Sequence, residues 1–192
     1  MEKPVLFINA CVRKESRTRS LAEQLLEKLD KPYEEIRLNE ITFPVVDEDF
    51  LMMRDRLIAG QEFQSPVFAL ARQFANAETV VIAAPFWDLS FPAALKQYVE
   101  QINVVGITFR YGEDGVPAGL CRADRLFFVT TAGGCYVPEA FGFGYIKALA
   151  QNFYGIGDVR KIEAAGLDIV GADVGAIMGA AEEAIADIFC AV

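Results

Sequence analysis

The chain contains no histidine, and that absence excludes more than any other feature. The usual zinc sites, Ser-His-Asp and Cys-His catalysis, and histidine general bases all need an imidazole. Chemistry here must be carried by something else, and a bound cofactor is the economical answer. Basic residues are in the minority: 18 Lys+Arg against 27 Asp+Glu gives a net charge of −9. An acidic chain with no broad basic face is not expected to bind nucleic acid. No apolar run approaches the ~20 residues of a membrane span. No secretory h-region or cleavage site precedes the strand-like residues near Pro4, so the expected setting is cytoplasmic. Cys11, Cys121, Cys135 and Cys190 are far apart with no C-x-x-C, and read as free thiols rather than a disulfide framework. No Asp/Glu spacing points to a carboxylate metal site, so no metal is expected.

What is present fits a single domain over residues 1–192. Hydrophobic residues make up 53% and charged residues 23%, the balance of a globular chain with a full core. Strand-like stretches at 5–10, 33–38, 79–84, 126–131 and 158–165, the second alternating Tyr33, Glu35 and Arg37 against Glu34, Ile36 and Leu38, are interleaved with helical patterns. The helical stretches are 21–29, 50–58, 66–77, 92–102, 139–153 and 173–189, with a small β-excursion in 108–120. Nearly continuous apolar strands separated by helices imply a parallel sheet covered on both faces. The expected fold class is therefore α/β, a three-layer sandwich with a five-stranded parallel sheet. In such folds ligands bind beyond the carboxyl ends of the strands, at the topological switch point.

Two strand-end segments suit the two ends of one ligand. The first, residues 10–20, follows Val5-Leu6-Phe7-Ile8 and contains Arg13, Lys14, Arg17 and Arg19. It matches neither G-x-G-x-x-G nor G-x-x-x-x-G-K-[ST]. What remains is Ser16-Arg17-Thr18 ahead of a helix, where hydroxyls, backbone N–H groups and the helix dipole favour a terminal phosphate. The plain alternative is that Ser16 or Thr18 is only a helix cap. The second segment is Pro85-Phe86-Trp87-Asp88-Leu89, which contains the only tryptophan. Trp87 is either a wall for a flat ring or a surface or core aromatic. Asp88 either accepts from a ring N–H or caps the helix beginning near Pro92. After the fourth strand, Thr131, Gly133 and Gly134 allow close backbone approach to a ligand, although Gly-Gly is also ordinary turn material. The joint placement suggests a mononucleotide, with a flavin as the best fit.

Several stretches carry a resemblance to a known family. They are Ala83-Ala84-Pro85-Phe86-Trp87-Asp88, Leu95-Lys96-Gln97-Tyr98, Gly106-Ile107-Thr108-Phe109-Arg110-Tyr111, and Thr130-Thr131-Ala132-Gly133-Gly134. Phe43-Pro44-Val45-Val46-Asp47 and Phe153-Tyr154-Gly155-Ile156 extend it over nearly the whole chain. The chain resembles the FMN-dependent NADH-azoreductase and NAD(P)H:quinone oxidoreductase family, with a flavodoxin-like fold.

The resemblance implies FMN as cofactor and NADH or NADPH as co-substrate. It also implies a small-molecule acceptor (a quinone or azo compound), ping-pong hydride transfer and a homodimer. Ser16, Arg17 and Thr18 match the family's phosphate segment, Phe86 to Leu89 its flavin segment, and Thr131, Gly133 and Gly134 its ring-pyrimidine loop. Tyr111 and Phe153 match residues near the flavin that either subunit contributes, Tyr111 being a candidate acceptor contact. Ala10 stands where the family often has serine, and Asp88 where it usually has asparagine. A flavodoxin-type electron carrier without small-molecule turnover, or a cofactor-free binding module, would share the fold.

Overall fold

A computed structural model describes residues 5–190. The first strand, β1 (Val5–Asn9), is fully buried, as five successive apolar or amide residues require. It leads into helix α1 (Arg17–Leu29), strand β2 (Tyr33–Arg37) and helix α2 (Glu48–Ala59). Helix α3 (Ala69–Asn76) and strand β3 (Thr79–Ala83) precede helix α4 (Ala93–Ile102). The small hairpin β4 (Phe109–Tyr111) and β5 (Pro117–Gly119) follows, then β6 (Arg125–Thr131), α5 (Phe143–Leu149), β7 (Asp158–Ala164) and α6 (Val174–Cys190).

The main sheet has five strands in the order β2-β1-β3-β6-β7, all parallel. Side chains alternate between its faces with the two-residue period of a strand. Leu6, Ile8, Val80, Ile82, Leu126 and Phe128 pack under α3, α4 and α5, with Phe74, Leu95, Tyr98 and Ile146. Val5, Phe7, Val81, Ala83, Phe127 and Val129 pack under α1 and α6, with Leu21, Leu25, Ala181 and Ile185. The chain leaves β1 for β2 on one side, then returns to place β3 on the other. This reversal opens a crevice beyond the carboxyl ends of β1 and β3.

Several boundaries differ from the sequence expectation. Helix α1 starts at Arg17 rather than Leu21, so a polar first turn precedes the apolar face. Pro66–Phe68 is a 3₁₀ turn ahead of α3, and Pro92 stands one residue before α4, its carbonyl accepting from Leu95 N at 2.9 Å. The 139–153 stretch divides into a 3₁₀ turn, α5 and a π-helical turn at Ala150–Tyr154, broken at Gly142. Among the described residues no helix is long and apolar enough to cross a membrane.

Candidate functional site

A cleft of about 340 Å³ lies at the switch point. Its walls are the loop after β1 (Val12, Arg13, Glu15, Ser16), the start of α1 (Arg17, Thr18), the loop after β3 (Pro85, Phe86, Trp87), the end of β6 (Thr131, Ala132, Gly133), and Leu167 and Asp168 after β7. Its volume falls within the ~300–1,000 Å³ of small-molecule sites.

The loop after β1 is shaped by Asn9, which is 2% exposed. Its Oδ1 accepts from Cys11 N at 2.9 Å, turning the chain as the strand ends. Its Nδ2 donates to Glu35 Oε1 at 2.9 Å on β2. Ser16 then caps α1, accepting from Arg19 N at 3.3 Å. The backbone N–H groups of Arg17 and Thr18 have no partner among the described residues, as the start of a helix dictates. With the Ser16 hydroxyl and the Arg13 and Arg17 guanidinium groups they make one end of the cleft a match for an anion. Of the four clustered cations only Arg13 and Arg17 line the cleft, while Arg19 pairs with Glu23 at 2.7 Å. The Cys11 thiol nearby is buried; desolvation pushes its pKa up, opposed in part by a hydrogen bond with Ser16.

Thr18 is 1% exposed, and its Oγ1 lies 2.6 Å from Thr131 Oγ1. This contact ties α1 to the end of β6. One hydroxyl must donate to the other, and the accepting one keeps its own proton.

The other end of the cleft is built on an unusual turn. Phe86 N donates to Thr131 O at 2.9 Å, continuing the β3–β6 pairing past the strand. Trp87 and Ser90 then exchange backbone hydrogen bonds at 3.0 and 2.7 Å. Between them Asp88 and Leu89 both have positive φ, 50° and 66°, the signature of a type I′ turn. A left-handed conformation suits aspartate but strains leucine by about 1–2 kcal/mol. Ser90 Oγ anchors the turn by donating to Phe141 O at 2.6 Å. The turn leaves Trp87 39% exposed at the cleft wall, neither core plug nor isolated surface residue. Asp88, Leu89 and Gly134 extend the walls without lining the cleft itself.

Tyr111 lies outside the cleft lining, on β4, 56% exposed. It packs edge-on to Phe109 at 5.5 Å, and Phe109 packs on Phe153 at 4.8 Å. The three rings form an aromatic group at the hairpin, with Phe153 presented by the π-helical turn. Two cleft residues carry no local signal in the sequence: Leu167 and Asp168, brought in by the loop after β7. Their N–H groups donate to Ala132 O at 3.1 Å and Gly133 O at 3.0 Å. Asn9 was legible in principle as an amide ending an apolar strand.

Comparison with known proteins agrees with this geometry. The family model described as the flavodoxin-like fold matches residues 3–188. An FMN-dependent NADH:quinone oxidoreductase of Clostridium acetobutylicum is 37% identical over 91% of this chain and 92% of its own length. A protein of the same name from Clostridium beijerinckii is 35% identical over 94% of this chain and 93% of its own. Among solved structures, an azoreductase from Bacillus anthracis superposes with a TM-score of 0.84 at 23% identity, covering 97% of this chain and 98% of that one. An FMN-dependent NADH-azoreductase of the same species, in complex with FMN, gives 0.79 at 24% identity, covering 97% and 99%. The chain belongs to the flavodoxin-like fold family of the FMN-dependent NADH:quinone oxidoreductases.

Proposed function

We propose that this protein is an FMN-dependent oxidoreductase that passes two electrons from NADH, or NADPH, to quinones or azo compounds. It acts as a cytoplasmic homodimer with ping-pong kinetics. The observation that carries this reading is a single cleft with anion donors at one end and an aromatic wall at the other. Relatives of 37% and 35% identity that carry the FMN-dependent quinone oxidoreductase name support it.

The residues fit the cofactor. Ser16, the open N–H groups of Arg17 and Thr18, and the Arg13 and Arg17 side chains suit a phosphate dianion. Pro85, Phe86 and Trp87 offer a flat wall for the ring, with Asp88 and Leu89 extending it. Thr131, Gly133 and Gly134 suit the polar edge of the ring. When bound, FMN supplies the redox chemistry, accepting hydride from the nicotinamide and returning two electrons to the acceptor. The chain's own groups bind and orient, and Trp87 excludes water from one face. No imidazole exists in the chain to move a proton.

A flavin ring packed on that wall would leave one face open, which donor and acceptor would take in turn, so the donor would leave before the acceptor enters. Tyr111, Val105, Val116 and Leu120 are exposed beside the hairpin. A second copy covering them would bury apolar surface and bring Tyr111 toward a partner's cleft.

The purified protein should be yellow, and mass spectrometry of the released chromophore should give FMN. NADH should bleach it without acceptor, and double-reciprocal plots against a quinone should be parallel. Recovery of FAD alone would overturn the cofactor. Binding of FMN with no bleaching by either nucleotide would leave an electron carrier. A fully active monomer in light scattering would overturn the dimer.

A further inference from the structure

We propose that Asp168 is a positioning residue for the ligand phosphate, acting through Arg17. The inference rests on the proposed FMN reading and concerns how the anion end of that cleft is preorganised.

Arg17 lies in the first turn of α1, yet its guanidinium reaches the loop after β7. Nη1 donates to Asp168 Oδ1 at 3.0 Å and to Leu167 O at 3.5 Å. Both hydrogens of that nitrogen are thereby used. The three N–H groups on Nε and Nη2 have no partner among the described residues, and Arg17 lines the cleft. A guanidinium fixed along one edge presents its other donors as a set. It then loses less freedom when an anion arrives than a side chain free in solvent would.

Asp168 is itself anchored. Gly166, Leu167 and Asp168 donate their backbone N–H groups to Gly134, Ala132 and Gly133 at 3.0, 3.1 and 3.0 Å. Its carboxylate folds against Gly133, where an added Cβ would lie 2.4 Å from Oδ2. The absence of a side chain at Gly133 is what lets Asp168 reach Arg17. The carboxylate therefore sits on a loop tied directly to the segment expected to face the flavin ring.

A carboxylate beside a phosphate also repels it, so Asp168 has two opposed effects. Its helpful one passes entirely through Arg17, and this predicts a reversal of sign. With Arg17 present, removing Asp168 weakens FMN binding. With Arg17 absent, only repulsion is lost, and removing Asp168 strengthens binding. A purely structural role for Asp168 cannot produce that reversal.

The test is titration of the flavin-free protein with FMN and with riboflavin, which lacks the phosphate, followed by flavin fluorescence. Asp168→Ala should raise the FMN dissociation constant about threefold to fivefold, the most that an exposed ion pair can contribute by holding Arg17 in place, and leave riboflavin unchanged within about twofold. Asp168→Asn, which keeps an oxygen acceptor for Nη1 and drops the charge, should restore most FMN affinity. In the Arg17→Ala background, Asp168→Ala should tighten FMN. The pair is largely exposed, at 47% and 70%, and contributes little to folding, so these variants should fold. Parallel losses for FMN and riboflavin, an unchanged FMN constant, or the same loss in the Arg17→Ala background would each overturn the role of Asp168. A wild-type protein that binds neither flavin would instead overturn the reading beneath it.

Discussion

Replacing Thr18 by valine tests the join between α1 and the sheet. Valine keeps the shape of threonine and removes its hydroxyl. Thr18 and Thr131 are 1% and 9% exposed, and their oxygens are 2.6 Å apart. Thr18→Val therefore leaves the Thr131 hydroxyl buried without its partner, which costs about 1–3 kcal/mol. Thr131→Val orphans Thr18 in the same way and should cost a similar amount. The double variant removes both groups and leaves two apolar surfaces in contact, a change that is nearly neutral. The two substitutions should therefore couple by the sum of the two single losses, about 2–6 kcal/mol. Urea unfolding of the flavin-free protein reads this directly. With a slope of roughly 2 kcal/mol/M, each single variant should lower the midpoint by roughly 0.5–1.5 M, and the double should return close to wild type. Ligand binding should diverge from stability, because the accepting hydroxyl of the pair keeps a proton for the cleft. The double variant should be stable yet bind FMN more weakly. A double variant as unstable as the sum of its singles would refute the pairing.

The remaining expectations concern the packing of the hairpin and the four thiols. Gly119→Ala would place a Cβ 2.2 Å from Gly155 N and Tyr154 C, backbone atoms that cannot rotate away. It should cost about 1–3 kcal/mol in thermal melts while leaving FMN affinity unchanged, and an unchanged melting temperature would refute the close approach. Among the thiols, Cys135 and Cys190 are exposed, whereas burial raises the pKa of Cys11 and pushes that of Cys121 up to about 12. A thiol reagent at pH 8 should modify the first pair quickly and the second only on unfolding; rapid labelling of a Cys135→Ser/Cys190→Ser variant would contradict this.

The central strands β1, β3 and β6 were legible because they are buried on both faces and read as apolar runs, whereas the edge strands β2 and β7 are partly exposed and carry charged residues. All five main-sheet strands were found within a residue of their ends. The misses have separate physical origins. The first turn of α1, Arg17 to Ser20, has no apolar periodicity because Arg17 and Thr18 line the cleft while Arg19 pairs with Glu23 and Ser20 is exposed. The π-helical turn at Ala150–Tyr154 departs from the 3.6-residue period on which helix reading depends. Leu89 has no intrinsic preference for positive φ, so the type I′ turn could not be inferred from Asp88-Leu89. Asp168 is an exposed carboxylate whose partner lies 151 residues away, and no local pattern encodes such a contact. The helical start at Arg17, the turn that carries Trp87, and Asp168 thus escaped where side chains serve the cleft instead of the core, whereas Ala150 and Tyr154 of the π-helical turn are core residues that escaped through their period.

The two departures from the family pattern become intelligible on the same grounds. Ala10 is 2% exposed, its N–H donates to Ala83 O at 2.9 Å, and it does not line the cleft. A methyl there packs in the core between β1 and β3, and the anion donors present at Ser16, Arg13 and Arg17 do not depend on it. Asp88 occupies a left-handed position that asparagine and aspartate both tolerate, and its side chain has no partner among the described residues. What the position demands is backbone shape: it lets Trp87 and Ser90 exchange their hydrogen bonds and holds Trp87 against the cleft. That demand survives the change of amide to carboxylate. The added negative charge then acts on a site already containing Glu15 and Asp168, so its effect falls on the affinity for anionic ligands rather than on the geometry of the wall.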